Sequence, residues 1–326
     1  MNLCAAEIER FLADAGWADA ARRPLGADWS NRRYQRLSRR AHDEGGGGTA
    51  ILMDAADDAP VGPFLAVGAW LRSVGLRAPE VLGADEARRL VLLEDLGDDL
   101  LARVVERGGD EAALYRLALD AIVHFQDATP PAFLPTMDDA ALLFLLDVYL
   151  EFAVPSTSAE ERAAFAAAWR DLLPLARTGP DVFLYRDYHA ENLLWLPAGT
   201  GVRRLGLLDF QDAFRGPAAY DVASLVQDAR RDVSPAVAGV VVDAYLAARP
   251  GLGRERLELA LAVLGAQRAM RILGVVGRLV ATKGRVFPPG MRRRVRGHLD
   301  ASLAHPALSR LRAWCDRHAT AAETAA

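Results

Sequence analysis

Two short segments restrict this 326-residue chain more than any other feature: Tyr185-Arg186-Asp187-Tyr188-His189-Ala190-Glu191-Asn192, and then Leu207-Leu208-Asp209-Phe210-Gln211. An aspartate, four residues and an asparagine, followed by a short hairpin and a second aspartate after an apolar strand, put two carboxylates and a carboxamide at chain turns. On such a loop the Asp187 carboxylate can accept a proton from an attacking hydroxyl. Asn192 turns back so that its amide oxygen can ligate magnesium, and the strand Leu205–Leu208 carries Asp209 toward the same ion. Magnesium takes hard oxygen ligands and shares them with nucleotide phosphates, so one Asn and one Asp suffice. The spacing is the layout of phosphoryl-transfer loops.

The rest of the chain suits a soluble frame for such a site. Its length is enough for about two domains, and 52% apolar with 25% charged residues is ordinary globular composition. A net charge of −4 argues against nucleic acid as the main partner, because counterion release needs a strongly cationic face. The apolar runs Ala140–Val154 and Gly239–Ala248 are interrupted by Asp147, Glu151 and Asp243, so no membrane span is expected from them. Glu7 and Glu9 sit where a signal sequence would be apolar, which makes the cytoplasm the default location. Cys4 and Cys315 lie at opposite ends and imply neither a disulfide framework nor a metal cluster.

Periodicity predicts a helix over Leu3–Ala13, then a turn at Ser30–Arg33 entering a strand through Leu37, a glycine tip at Gly45–Gly48, and a strand at Thr49–Met53. No Gly-Lys-Ser/Thr follows the glycines, so they read as a hairpin tip rather than a phosphate cradle. A helix is expected over Pro60–Val74, and strands at Val81–Ala84 and Leu90–Leu93. Helical patterns cover Glu111–Asp127, Asp138–Phe152 and Ala159–Leu173, with a strand region from Val182 to Phe210 and helices again to the C-terminus. A strand-rich first quarter before a helix-rich remainder predicts an α+β fold of two lobes, divided near residues 94–97. Residues 1–95 form the expected N-lobe and residues 96–326 the C-lobe.

Asp187-x-x-x-x-Asn192 with Leu207-Leu208-Asp209-Phe210 resembles the aminoglycoside phosphotransferase and small-molecule kinase family, relatives of the protein kinases. The wider set of motifs runs from Ser30-Asn31-Arg32-Arg33-Tyr34 through Met53-Asp54-Ala55 and Ala219-Tyr220-Asp221 to Gln267-Arg268, Arg271-Ile272-Leu273-Gly274 and Ala304-His305-Pro306. Within the family, that set is similar to bacterial amino-sugar kinases of peptidoglycan recycling, which phosphorylate N-acetylmuramate and N-acetylglucosamine at the anomeric hydroxyl. The resemblance implies a protein-kinase-like bilobal fold with a nucleotide-covering N-lobe and a catalytic, substrate-binding C-lobe. It implies ATP and Mg²⁺ as cofactors, a small amino sugar as partner, and by default a monomer. Asp187 becomes the expected base, and Asn192 and Asp209 the metal ligands. Backbone groups at Glu94 and Leu96 are expected to hold adenine, with Leu93 lining the purine slot. Asp221 is expected to hydrogen-bond the backbone of the Asp187 loop.

The departures carry as much information. The family pattern places a lysine on the third strand, paired with a glutamate of the next helix. Here Thr49–Met53 has no lysine and Pro60–Val74 no glutamate; Lys283 is the only lysine in the chain. Arg32 or Arg33 is the expected replacement at the nucleotide phosphates, because a guanidinium can clamp phosphate oxygens bidentately. His189 is expected to support its loop or face the acceptor, and Glu191 to accept from sugar hydroxyls; no Pro-Cys-x-x-Cys completes a zinc site around them. Polycationic acceptors call for carboxylates. Instead Arg230, Arg231, Arg268 and Arg271 suit an anionic acceptor, with the last two on one helix face. The alternatives are a kinase of another small hydroxyl compound (an aminoglycoside, choline or homoserine) and a binding module without activity.

Overall fold

A computed structural model of the chain describes residues 5–26, 32–39, 48–55, 59–288 and 290–318. Ser30, Asn31, Gly45–Gly47 and Cys4 lie outside the described residues. The chain forms two compact units: Met1–Asp99 with Leu194–Asp212, and Leu100–Leu193 with Ala213–Ala326.

The first unit opens with α1 (Ala5–Asp14), β1 (Ala21–Pro24), β2 (Arg33–Ser38), β3 (Thr49–Asp54), α2 (Gly62–Ser73), β4 (Val81–Asp85) and β5 (Leu90–Glu94). The five strands make one antiparallel sheet in the order β1-β2-β3-β5-β4. Alternation sorts the central strands into two faces. Ala50, Leu52, Leu90 and Leu92 cluster with Phe11, Leu12 and Trp17 from α1 and the following turn. Met53, Val91 and Leu93 are buried on the other face. The edge strand β1 was not anticipated, because Ala-Arg-Arg-Pro has no apolar alternation and is mostly exposed. The first turn of α2 holds Pro63 rather than Pro60, and the chain leaves the helix through Gly75 at φ +88°.

The second unit begins with α3 (Leu101–Glu106), α4 (Glu111–Asp127), α5 (Asp139–Phe144), α6 (Asp147–Phe152), α7 (Ala159–Leu172) and β6 (Val182–Leu184). Side-chain caps fix several starts: Asp110 accepts from the Ala113 amide, Asp138 from Ala141, and Ser158 forms a capping box with Glu161. The expected single helix over 138–152 is two helices. At Leu146 and Tyr149 the backbone bonds shorten to residues three back, Leu143 and Leu146, which tightens the chain and breaks the α ladder.

The hairpin of β7 (Leu193–Trp195) and β8 (Leu205–Leu207) then rejoins the first unit. Trp195 N–H donates to Asp99 C=O (2.7 Å), Leu207 N–H donates to Arg77 C=O (2.8 Å), and the Phe64 and Phe210 rings stack with centroids 4.7 Å apart. After it, β9 (Phe214–Gly216) pairs antiparallel with β6, and α8 (Ala219–Val226), α9 (Pro235–Ala248), α10 (Arg254–Lys283), α11 (Met291–Leu303) and α12 (Ser309–His318) complete the second unit. The 30-residue α10 is long and apolar enough to cross a membrane by length and composition, a feature the sequence reading passed over. Its apolar window is 72% buried inside the protein, against α6, α8 and α11, and it carries the buried Gln267 and Arg268. That is the setting of a core helix.

Candidate active site

The loop after β6 is held from several sides. Asp221, fully buried in the first turn of α8, accepts from the amides of Tyr185 (2.7 Å) and Arg186 (2.8 Å), as the family resemblance implied. The helix starts at Ala219, two residues before that carboxylate. Burial pushes the Asp221 carboxyl up to about 7, against the pull of those two N–H donors. Tyr188 donates through its hydroxyl to the Ala118 carbonyl of α4 (2.7 Å), and its ring meets Tyr185 and Phe125 edge-on. Arg186, in the left-handed region at φ +77°, turns the chain so that Asp187 leaves the strand direction.

Asn192 closes the loop. Its amide Nδ2 donates to the Asp187 carbonyl (2.9 Å) and lies 3.2 Å from His189 Nε2, which turns its Oδ1 away from both. Burial lowers the His189 pKa to about 4, so the ring is neutral and Nε2 accepts. Its Nδ1 is buried with no hydrogen-bond partner among the described residues. Burial would raise the Asp187 carboxyl, but the positive charges of Arg186, Arg271 and Arg268 outweigh it and hold Asp187 below the usual carboxylate range. An ionised carboxylate on an immobilised backbone is what a proton acceptor needs.

Within the first unit, Asp209 follows β8 at φ +60°, and Gln211 Nε2 donates to its Oδ1 (2.7 Å). The buried Arg32 guanidinium approaches the same oxygen, with Nη1 3.8 Å away. Arg33 is committed elsewhere: Nε and Nη2 both donate to Asp54 Oδ2, at 3.1 and 2.9 Å, across the β2–β3 pair. Arg36 reaches Asp95 (2.9 Å) and Asp98 (2.5 Å). A carboxamide oxygen at Asn192 and a carboxylate at Asp209 are hard donors, the chemistry magnesium takes.

At the end of β5, Leu93 is buried, while the Glu94 carboxylate is forked by Arg77 (Nη1 to Oε2, 2.7 Å). The Glu94 amide already donates to the Glu80 carbonyl (2.8 Å). Leu96 lines a cavity of the first unit with Arg77, Glu94, Leu196, Thr200 and Arg203.

The four expected acceptor arginines divide. Arg230 pairs with Glu191 (3.0 Å), and Arg231 with Glu111 and the Tyr115 hydroxyl (2.6 Å each). Arg268 donates to Ser224 Oγ (2.6 Å), which in turn donates to the Arg186 carbonyl (3.3 Å). Arg271 shares the electrostatic surroundings of Asp187 with Arg268 and Arg186. Two groups escaped sequence reasoning. Asp228, buried, accepts from the amides of Arg230 (2.7 Å) and Ala190 (3.4 Å) and so ties the 187–192 loop to the segment after α8. Arg186 contributes the largest opposite charge at Asp187. Asp228 carries no local signal for its hold on the loop, because the Ala190 amide lies 38 residues away, whereas Arg186 sits beside Asp187 in the motif and its charge could have been weighed there.

The chain belongs to the phosphotransferase enzyme family, APH, whose profile matches residues 21–259, from β1 into α10. Within that class it is similar to the N-acetylmuramate/N-acetylglucosamine kinase of Caulobacter vibrioides, at 38% identity over 94% of each chain. It is also similar to the protein of the same name from Pseudomonas aeruginosa, at 33% identity over 68% of this chain and 64% of the relative. Among solved structures it shares its protein-kinase-like fold with a choline/ethanolamine kinase family protein from Mesorhizobium loti (TM-score 0.61, 18% identity, 95% and 98% of the two chains). An ADP-bound aminoglycoside phosphotransferase matches similarly (TM-score 0.59, 13% identity, 92% and 99%).

Proposed function

We propose that this phosphotransferase moves the γ-phosphoryl group of ATP onto the anomeric hydroxyl of N-acetylmuramate and N-acetylglucosamine, giving sugar 1-phosphates for peptidoglycan recycling in the cytoplasm. The observation that carries the reading is the similarity to the Caulobacter vibrioides kinase over 94% of both chains. The Asp187 loop supplies chemistry that agrees with it.

Asp187 accepts the proton of the sugar hydroxyl as its oxygen bonds to the γ-phosphorus and the bond to the bridging oxygen of ADP breaks. The charges of Arg186, Arg271 and Arg268 keep that carboxylate ionised and ready. Asn192 and Asp209 would hold Mg²⁺, which when bound neutralises phosphate charge. The Nδ2 bond of Asn192 to the Asp187 carbonyl favours this, because it leaves the amide oxygen as the outward donor. Arg32 takes the part of the absent third-strand lysine at the nucleotide phosphates, supported by its approach to Asp209; Arg33 is engaged by Asp54. Residues 1–95 cover the nucleotide, with Leu93, Glu94 and Leu96 at the purine, and residues 96–326 bind the acceptor. Because the protein makes no covalent bond to substrate, alignment and electrostatics supply most of the acceleration.

The test incubates the protein with Mg-ATP and a panel of both sugars, their 1-O-methyl glycosides, kanamycin and choline, and locates the phosphate by phosphorus–proton NMR coupling. Coupling to H1 is expected for the two free sugars and none for the glycosides. Turnover of kanamycin or choline instead would move the protein to another acceptor class. In Asp187→Asn, nucleotide affinity should persist while turnover falls by roughly 10²–10⁴.

A further inference from the structure

Arg271 stands apart from the other arginines near the Asp187 loop. Arg230 and Arg231 are neutralised by Glu191 and Glu111, and Arg268 is hydrogen-bonded to Ser224. Arg271, three residues after Arg268 on α10, has no hydrogen-bond or ion-pair partner among the described residues. It is partly exposed, so a ligand can reach it, and its electrostatic surroundings combine two repelling guanidiniums, Arg186 and Arg268, with the Tyr220 hydroxyl and the Asp187 carboxylate. Arg268 faces the ring of Tyr220 (5.6 Å), whose hydroxyl is buried and likewise has no partner among the described residues. His189 Nδ1 adds another unused polar atom in the same loop.

A guanidinium without an ion-pair partner beside two others is a ready partner for an anion, and unpaired buried polar atoms such as the Tyr220 hydroxyl and His189 Nδ1 are rare in folded proteins. The missing partner must be anionic, planar enough to receive a fork of N–H donors, and able to reach a point beside Asp187. The two sugars in the relatives' names differ by such a group: N-acetylmuramate carries a lactyl carboxylate that N-acetylglucosamine lacks.

We infer that Arg271, backed by Arg268, is the specificity-determining residue that pairs with the carboxylate of an acidic sugar acceptor. The inference rests on the acceptor class proposed above. Its chemistry is a charge-assisted, bidentate guanidinium–carboxylate pair, for which lysine is only a partial substitute. A contact to the transferred phosphoryl group is the competing role for the same guanidinium, and the two differ in outcome. A carboxylate contact separates the two sugars, whereas a phosphoryl contact serves both equally.

The experiment titrates N-acetylmuramate, its methyl ester and N-acetylglucosamine calorimetrically into wild-type protein, Arg271→Gln and Arg271→Lys, with circular dichroism to establish folding and steady-state rates alongside. Wild-type protein should bind the free acid about 30-fold more tightly than its ester, the size of a charge-assisted hydrogen-bonded contact. Arg271→Gln should lose that advantage while N-acetylglucosamine affinity stays within about threefold, and Arg271→Lys should recover part of it. Equal losses for both sugars, or an ester bound as well as the acid, overturn the inference; the ester comparison needs no variant and is immune to misfolding. If wild-type protein phosphorylates both sugars but Arg271→Gln keeps their ratio, this inference alone fails. If folded wild-type protein neither binds nor phosphorylates either sugar, the acceptor reading fails and takes the inference with it.

Discussion

Neighbouring arginines in this protein have different duties, and the partners decide which. Arg32 and Arg33 are adjacent, yet one approaches Asp209 and the other forks Asp54. Arg32→Met should therefore weaken ADP and ATP binding by about tenfold or more, the loss of a charge-assisted contact, read by fluorescent-nucleotide titration. Arg33→Met should leave nucleotide affinity nearly unchanged and cost about 1 kcal/mol of stability, since Arg33 is half exposed and screened. Equal nucleotide effects would remove the distinction. His189 gives a pH signature. Its folded pKa of about 4 lies below the ordinary 6.5, so the neutral ring is the folded form. Its contribution is complete above pH 6.5 and is lost as pH falls toward 4, reaching about 3 kcal/mol at the lower end. Denaturant unfolding should show wild-type protein losing about that much more than His189→Gln between pH 7 and 4; parallel curves would mean water reaches the ring without cost. At this scale the grip of Asp221 on the loop backbone was legible. The pairings of Arg230 with Glu191 and Arg231 with Glu111 were not, because they join positions 39 and 120 residues apart.

Among the elements, those with local start signals were read well. The helix at Glu111–Asp127 has its Asp110 cap and a clean apolar stripe, and its bounds match the expectation. The strands Ala21–Pro24 and Phe214–Gly216 were missed, since four and three residues carry no period and pairing supplies them. The division between α5 and α6 was hidden for a similar reason. There α10 comes so close that a Cβ on Gly274 would meet Tyr149 N and Val148 C at 2.5 Å, both backbone atoms that cannot rotate aside. Gly274→Ala should accordingly destabilise by about 1–3 kcal/mol, although alanine favours helix by about 1 kcal/mol. Gly239→Ala in α9 is the control: nothing lies within 4 Å of its Cβ position, so the helix preference should show as a small gain. A stabilising Gly274→Ala in chemical denaturation would mean that α6 and α10 can move apart.

Taken as a whole, the α+β class and the change from strands to helices were legible, whereas the interleaving of the two units was not. The hairpin 194–212 is separated by almost a hundred residues from the sheet unit to which it belongs, and no pattern within it says so. Its bonds are to Asp99 and Arg77 and its Phe210 ring stacks on Phe64. A fragment ending at Asp99 should thus lack a cooperative thermal transition by circular dichroism, since it omits those partners; a sharp transition would show the sheet and α1 to be self-sufficient.

The same interleaving governs how the protein is born. A ribosome adding roughly 5–20 residues per second needs about 5–25 s to travel from Asp99 to Asp212. During that interval the surface around Phe64 on α2, which the Phe210 ring later covers, stays unfinished.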